Sequence, residues 1–464
     1  MSKHLLGDFQ EAMDYLNQAQ SLGIKPGLER ISALLAALGN PEQQIPTIHI
    51  AGTNGKGSTS SICTHVLASA DYKVGWFTSP YLERFHERIR IITGKQGLKE
   101  FKANPSSAEI SDEKFRSILS KVVQEAKRLY EKTGDAATEF ELLTAVAFVY
   151  FADANCDYLV LETGLGGRLD STNVVTKPLA CLITALGYDH MERLGNSLAE
   201  IAFEKAGIIK REVPVFLTRI ADCEHNEQEA AEARKVISKR ASELKAPLTE
   251  VGYTDITERT LLPDGQSFRL LGEQFTLKLE GKHQLLNASL AITALQSLKL
   301  IDIDQLKDGV EATTWAGRLE LIAKEPDILL DGAHNLQGCQ VLRNYLNERY
   351  AEQEIILVLG ILQDKQVEQM LDVLLHGSYK IAELVVTEPP IARSMEATKL
   401  LQLCEQKMVS KKGQKCHYNK QTDAVAAVQL ALDIQAEKAQ RAVVVAGSLY
   451  LVGAVRPFIS KLRG

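Results

Sequence analysis

Two hydrophobic periods run along this chain, and the switches between them mark its elements. Phe9, Ala12, Met13, Leu16 and Ala19 recur at the three-to-four-residue spacing of a helix face, as do Leu28, Ile31, Leu34, Leu35 and Leu38. This spacing predicts two helices over 8–38, broken at a Gly23–Gly27 turn. Short unbroken apolar runs predict buried strands at Thr47–Ile50, Lys73–Ser79, Asp157–Thr163, Ala180–Leu186 and Val213–Thr218. Helical patterns lie between and after them, over 58–70, 112–132, 138–153, 198–206 and 224–245. A further helix opens near Gly281. Alternating Phe268, Leu270, Phe275, Leu277 and Leu279 predict a hairpin over 266–280. Polar residues with Gly, Pro and Ser predict a mobile surface insertion over 94–112. After a break near Thr313–Gly317 the pattern restarts, with strands at Asp327–Leu330, Glu354–Leu359, Glu383–Thr387 and Ala442–Val445.

The stretch His49–Thr59 reads strand, glycine turn, helix. Gly52, Gly55 and Gly57 let the backbone approach an anion, and the helix that opens at Ser58 offers unpaired N–H groups. Lys56 adds a full charge, and Ser58 or Thr59 a hydroxyl. The usual phosphate-loop pattern has four residues between its glycines and a hydroxyl directly after the lysine. Here Gly57 intervenes, so the match is of mechanism and context more than of spacing. The fold class that follows is α/β: a P-loop-type doubly wound ATPase domain over 1–312 and a smaller Rossmann-like α/β domain over 313–464. The 47–79 segment predicts a right-handed crossover and a parallel pair of strands.

Three more predicted strands end in polar chemistry. Ser79 follows one, in a position to face the phosphates or simply to cap a turn. Glu162 closes another, where a buried carboxylate needs a partner; Mg²⁺ shared with a nucleotide is a natural one and a hydrogen-bonded strand end the alternative. Asp189-His190 follows a third, with His190 a candidate ligand. Lys205 sits near a helix end, where residue chemistry alone favours a cation complementing the dipole. The run Glu83–Arg90 reads first as a solvated charged face, with Arg84, Arg88 and Arg90 meeting an anionic substrate as the alternative.

Composition narrows the class. The 464 residues carry a net charge of −6, which argues against a general nucleic-acid binder. No apolar run reaches membrane-spanning length, and the N-terminus does not read as a signal peptide. Seven scattered cysteines without a Cys-x-x-Cys pair suggest reduced thiols and a cytoplasmic setting.

These motifs together resemble the folylpolyglutamate synthase and dihydrofolate synthase family, within the Mur ligases. The resemblance runs nearly end to end. It includes His49–Thr59, Thr78-Ser-Pro80 with Glu83-Arg84, and Glu162–Asp170 with Thr172-Asn173. It continues through Asp189-His190, Glu204–Ile208, His283-Gln284 with Asn287-Ala288, Gly317-Arg318, Asp331–Asn335, Gly360–Lys365 and Gly447–Gly453. It implies an ATP-dependent ligase that joins L-glutamate to a folate or dihydropteroate carboxylate through an acyl phosphate. It places nucleotide contacts at Thr53, Asn54, Gly55, Lys56, Gly57, Ser58, Asn287, Arg318 and Asp331, with His334 a neighbour. It places two Mg²⁺ sites on Ser79, Glu162, His190 and Lys205, the lysine as a carbamate, which reverses the plain reading of Lys205. Lys56, His190 and Lys205 are the expected catalytic residues. The resemblance further implies a monomer acting on small molecules. Ser448, Asp364 and Lys365 are candidates for the glutamate site.

Some residues depart from the family pattern. Tyr81 stands where His is frequent, Tyr188 where Leu is, and Leu336 and Ala316 where Pro is. None of these removes a phosphate or metal ligand. Two other readings stay open on sequence: a related Mur-type amide ligase acting on another carboxylate, and a nucleotide-dependent switch without ligation.

Overall fold

The computed structural model describes residues 6, 8–23, 25–223, 225–408, 416–437 and 441–463. Its first seven strands are β1 (Thr47–Ala51), β2 (Lys73–Phe77), β3 (Ile89–Thr93), β4 (Tyr158–Glu162), β5 (Ala180–Ile183), β6 (Val215–Thr218) and β7 (Leu248–Val251). They form one sheet in the order β3-β2-β4-β1-β5-β6-β7. Only β3 runs antiparallel, at the edge. β1 and β5 are buried along their whole length, and β4 from Leu159 onward, as their unbroken apolar runs require.

Helices cover both faces. One layer joins Ile62, Val66 and Leu67 of helix Lys56–Ser69 to helices His283–Leu298 and Ile303–Ala312. The opposite layer packs helices Phe9–Gln20, Glu29–Ala37, Asp112–Thr133 and Glu139–Asp153. Helices Leu198–Ala206 and Glu227–Glu243 cover the β5-β6 side.

An antiparallel sheet follows, β8 (Ile256–Leu262), β9 (Gly265–Leu270) and β10 (Glu273–Leu277). The C-terminal sheet has β11 (Glu320–Ala323), β12 (Ile328–Leu330), β13 (Glu354–Leu359), β14 (Lys380–Val386), β15 (His417–Lys420) and β16 (Ala442–Ala446). Its order is β11-β12-β16-β13-β14-β15, parallel except for β11.

Four expectations are corrected. β1 and β2 lie parallel in one sheet but are not paired, because β4 enters between them and bonds to both. Residues 94–112 are not a loose insertion: Gly94–Ala103 is a helix that buries Leu98 and Phe101, followed by a 3₁₀ turn, Pro105–Ala108. The hairpin over 266–280 has a third strand, β8, whose exposed outer positions hid it. The run Glu83–Arg90 is not a solvated face. Glu87 accepts the backbone N–H groups of Leu82, Glu83 and Arg84, and Arg90 lies buried over the rings of Trp76 and Phe101.

Candidate active site

The site lies at the carboxyl edge of the large sheet. Strand order switches direction around β1 there, which opens the crevice where parallel sheets take ligands. After β1 the chain turns through Gly52 (φ 157°) and Gly55 (φ 88°). A Cβ at Gly52 would run into Thr184, and one at Gly55 into Asn287, so neither backbone nor space admits another residue. The helix Lys56–Ser69 starts immediately after this turn. The loop is braced from two sides. Thr53 and Asn54 donate their backbone N–H groups to Ala185 O (2.9 and 3.2 Å). Gln284 Nε2 donates to Ser58 Oγ (3.1 Å), and Asn287 Nδ2 to Gln284 Oε1 (2.9 Å).

Two lysines converge on this loop. Lys56 Nζ folds back to donate to Gly52 O (3.1 Å) and Thr53 O (3.3 Å). Lys205, 2% exposed, also donates to Gly52 O (2.7 Å). Burial, with the Lys56 charge adding to it, pulls the Lys205 amine down to about 7. Glu162, at the end of β4 and 4% exposed, is pushed up to about 7 by burial, against the pull of Lys56, Arg318 and the Ser79 N–H. Ser79 Oγ accepts from Arg88 Nη1 (2.9 Å). His190 takes a left-handed backbone (φ 52°), and its half-exposed ring stands 4.0 Å from Asp189. Burial lowers its pKa, with Asp189 opposing.

The C-terminal sheet closes the crevice. Asp331 follows β12 and accepts the N–H groups of Leu319 (2.8 Å) and Ala333 (2.9 Å); burial raises it to about 6. Arg318 lies half-buried beside it and donates to Gly317 O (3.1 Å). His334 Nδ1 bonds Gly332 O (2.7 Å), and burial lowers the ring to about 4, so it is neutral at pH 7. Lys365 and Asp189 form an ion pair across the crevice at 2.7 Å. Burial pushes the Asp189 carboxyl up, but Lys365, His334 and His190 outweigh it and hold it well below the usual range. Asn335 Nδ2 reaches Asn54 Oδ1 (3.1 Å) and Asp189 Oδ2 (3.2 Å), while Asn54 Nδ2 donates to Gln337 Oε1 (2.5 Å). The phosphate loop is thus fastened to the C-terminal unit.

Thr53–Ser58, Ser79, Glu162, His190, Lys205, Asn287, Arg318, Asp331 and His334 all line one cavity of about 230 Å³. Its floor of backbone amides and ammonium groups suits polyphosphate, and the buried Glu162 opposite suits a hard cation. Among the described residues no three His, Cys, Asp or Glu side chains gather as a metal cluster. The expected ligands include only Glu162 and His190 of those types.

Comparison with known proteins is decisive for the family. Residues 112–295 match the Mur ligase middle domain, and 318–458 the dihydrofolate synthetase C-terminal domain. The dihydrofolate synthase/folylpolyglutamate synthase of Bacillus subtilis is 38% identical over 375 residues, 78% of this chain and 82% of that protein. The chain belongs to this family. The folylpolyglutamate synthase of Lacticaseibacillus casei is 33% identical over 79% of this chain and 82% of its own length. A Mycobacterium tuberculosis folylpolyglutamate synthase, solved with ADP and AMPPCP, superposes with a TM-score of 0.82 at 28% identity, covering 97% of this chain and 99% of that one.

Sequence reasoning ranked a substrate role for Arg88 below a solvated face, and it did not single out Trp315 or Gln337. Arg88, in the charged run, is held within 5.2 Å of the Tyr81 ring and against Ser79. Its Nε is buried without a partner. Trp315 covers the phosphate loop so closely that a Cβ at Gly57 would lie 2.7 Å from its ring. Gln337 also binds Leu186 O (3.0 Å) and Cys223 O (3.1 Å). No local pattern marks these residues, because each acquires its role from an element distant in sequence. Of the glutamate candidates, Lys365 pairs with Asp189, Asp364 with Arg393, and Ser448 is buried, its Oγ accepting the Tyr450 N–H.

Proposed function

We propose that this chain joins L-glutamate to a folate-type carboxylate at the expense of ATP, forming ADP and phosphate. The observation that carries the reading is the convergence of a phosphate loop, the buried Glu162 and the C-terminal Arg318 and Asp331 on one cavity between two α/β units. In that cavity Lys56 and the loop amides hold the ATP phosphates. A substrate carboxylate oxygen attacks the γ-phosphorus, and ADP leaves with the bonding pair. The acyl phosphate then carries a good leaving group, which a free carboxylate lacks. The glutamate amine attacks its carbonyl carbon, phosphate departs, and the nitrogen releases its proton. Lys56 and Arg318 offset charge on the transferring group. Closure of the crevice excludes water, which would otherwise hydrolyse the acyl phosphate.

Ser79, Glu162, His190 and Lys205 fit a pair of magnesium sites. Among the described residues no lysine or arginine pairs with the buried Glu162 carboxylate, and Lys56 is turned to backbone carbonyls. Mg²⁺ there would neutralise phosphate charge. Lys205 fits the carbamate role. With a pKa near 7, a large share of its amines are neutral at physiological pH. A neutral amine attacks CO₂ at carbon and releases one proton, and the carbamate presents anionic oxygens. We also infer a cytoplasmic monomer with domains over 1–312 and 313–464. Among the described residues no helix is long and apolar enough to cross a membrane.

A paired assay tests the reading. Purified protein receives ATP, Mg²⁺ and L-glutamate with either dihydropteroate or a reduced folate monoglutamate, and products are weighed by mass spectrometry. Product from both acceptors assigns both steps to one site, and product from one names the enzyme. Product from neither, with ATP hydrolysis intact, points to a ligase for another carboxylate or to a nucleotide switch.

A further inference from the structure

Gly57 sits where the usual phosphate loop has no residue, between the lysine and the hydroxyl. It is the second residue of helix Lys56–Ser69, and unlike Gly52 and Gly55 it does not take a left-handed backbone. A glycine inside a helix costs stability relative to alanine, so something other than backbone geometry requires it. The requirement is space. A Cβ at Gly57 would stand 2.7 Å from Cζ2 of Trp315 and 3.0 Å from its Cε2 and Nε1, and these are the three atoms nearest to it. We infer that Trp315 is a positioning residue for phosphoryl transfer: its indole fixes the first turn of the phosphate-binding helix, and Gly57 is the notch that admits it. The inference rests on the ligase reading above.

The surroundings of the indole support this role. Trp315 meets Trp76 of β2, with ring centroids 5.2 Å apart. Trp76 is fully buried, with Arg90 over its ring. Trp76 Nε1 donates to Ser60 Oγ (3.0 Å), and Ser60 Oγ donates to Gly57 O (2.9 Å). The two tryptophans thus grip one turn, the first by contact and the second through a hydrogen-bond relay. A helical turn further on, Ser61 Oγ donates to the carbonyl of Thr314, the residue before Trp315 (2.8 Å). Trp315 lies in the segment that links the two units, between helix Ile303–Ala312 and β11. Past it, Gly317 O accepts the Gly332 N–H (2.9 Å), the Gly317 N–H donates to Glu320 (2.8 Å), and Arg318 lines the nucleotide cavity. The linker is therefore fastened to the phosphate helix at one end and to the C-terminal unit at the other, with Trp315 at the first anchor.

Trp315 is not among the residues that line the nucleotide cavity, so it acts through Gly57 and not by touching phosphate. Among the described residues its indole N–H has no hydrogen-bond partner. The turn uses the flat ring, not the donor. Phosphoryl transfer is sensitive to placement, and an error of about 1 Å in the groups around the reacting atoms costs on the order of 10²-fold.

The test is a double-mutant cycle on Gly57→Ala and Trp315→Ala, read in the ligation assay, with ADP binding by calorimetry and melting temperature alongside. Trp315→Ala should lower kcat about 10- to 10²-fold. The KM for ATP should move less than about threefold, because Lys56 and the amides ahead of Gly57 still hold the nucleotide. Trp315→Phe should recover to within about threefold of wild type, since it keeps a flat apolar ring and drops only the unpartnered donor. Gly57→Ala should cost about tenfold in kcat with Trp315 present and less than about twofold without it, because the Cβ then has room. A Trp315→Ala protein that loses melting temperature but keeps kcat makes the ring core filling and overturns the proposal. So does a phenylalanine variant as slow as the alanine one, or a double variant in which the two losses multiply. Should alanine leave the chain unfolded, Trp315→Leu runs the same cycle under the same criteria. Wild type that hydrolyses ATP but ligates neither acceptor sinks the ligase reading instead; the cycle is then read in phosphate release, where losses that do not multiply uphold the role of Trp315 and losses that multiply end it.

Discussion

Lys56 and Lys205 place two ammonium groups on the same carbonyl, Gly52 O, and Lys205 is almost fully buried there. Like charges so placed disfavour each other's protonation, and burial adds to the effect. Lys205→Met should therefore abolish ligation while raising the melting temperature of the nucleotide-free protein, a combination that calorimetry and the mass assay separate. Glu162 has the opposite sign. Its folded pKa near 7 lies above its ordinary 4.5, so the folded state binds the extra proton between those values. Its contribution is present below pH 4.5 and is lost as pH rises to 7, on the order of 3 kcal/mol. Glu162→Gln should flatten the stability of the nucleotide-free protein across that window, as chemical denaturation at a series of pH values will show. The same variant should lower ligation by roughly 10²-fold or more. Wild-type turnover in either variant would remove that residue from the mechanism.

Among elements, the phosphate loop depends on glycine for reasons that differ along its length. Gly55 needs a left-handed backbone (φ 88°) and has Asn287 against its α-carbon. Gly55→Ala should cost roughly 1–3 kcal/mol of local strain and weaken ATP binding, measurable by calorimetry, while the distant C-terminal sheet keeps its stability. The helix Leu336–Arg349 starts with Asn335 capping Gly338 N–H (2.8 Å), and the same Asn335 reaches Asn54. A helix cap and an interdomain contact are thus one side chain. Gln337→Ala should raise the KM for ATP more than it lowers kcat, because it loosens the loop without touching the reacting atoms.

At the scale of the whole molecule, side chains of both units meet across the crevice. The Lys365–Asp189 pair is about one-tenth exposed on each side and joins the two units across the reaction centre. Breaking such a pair leaves an uncompensated buried charge. Lys365→Ala should open the crevice, so that glutamate-independent ATP hydrolysis rises while ligation falls. Small-angle scattering with bound nucleotide should show a larger radius of gyration than wild type. A variant that keeps both the compact shape and the coupling of hydrolysis to ligation would show that other contacts hold the units together.

Sequence by itself determined the α/β class, the strands that end in chemistry and the phosphate loop, because each is written in a short window. An apolar run, a glycine turn and the polar residue after it are local features. Of the residues proposed for phosphate and metal, those of the phosphate loop, Ser79, Glu162 and His190 were legible for that reason, whereas Asn287, Arg318 and the nucleotide role of Asp331 came from the family resemblance, as did the role of Lys205, where local chemistry pointed the other way. Tertiary structure alone decided the rest. A charged run such as Glu83–Arg90 looks solvated until Trp76 and Phe101 arrive from elsewhere to cover Arg90. Residues 94–112 look like a loose insertion until a core receives Leu98 and Phe101. β4 displaces β2 from β1 because strand neighbours are chosen by shared burial, not by order in the chain. The physical reason is common to all three: burial and pairing are properties of the assembled neighbourhood, and a residue's own identity carries no record of which distant partner will exclude water from it.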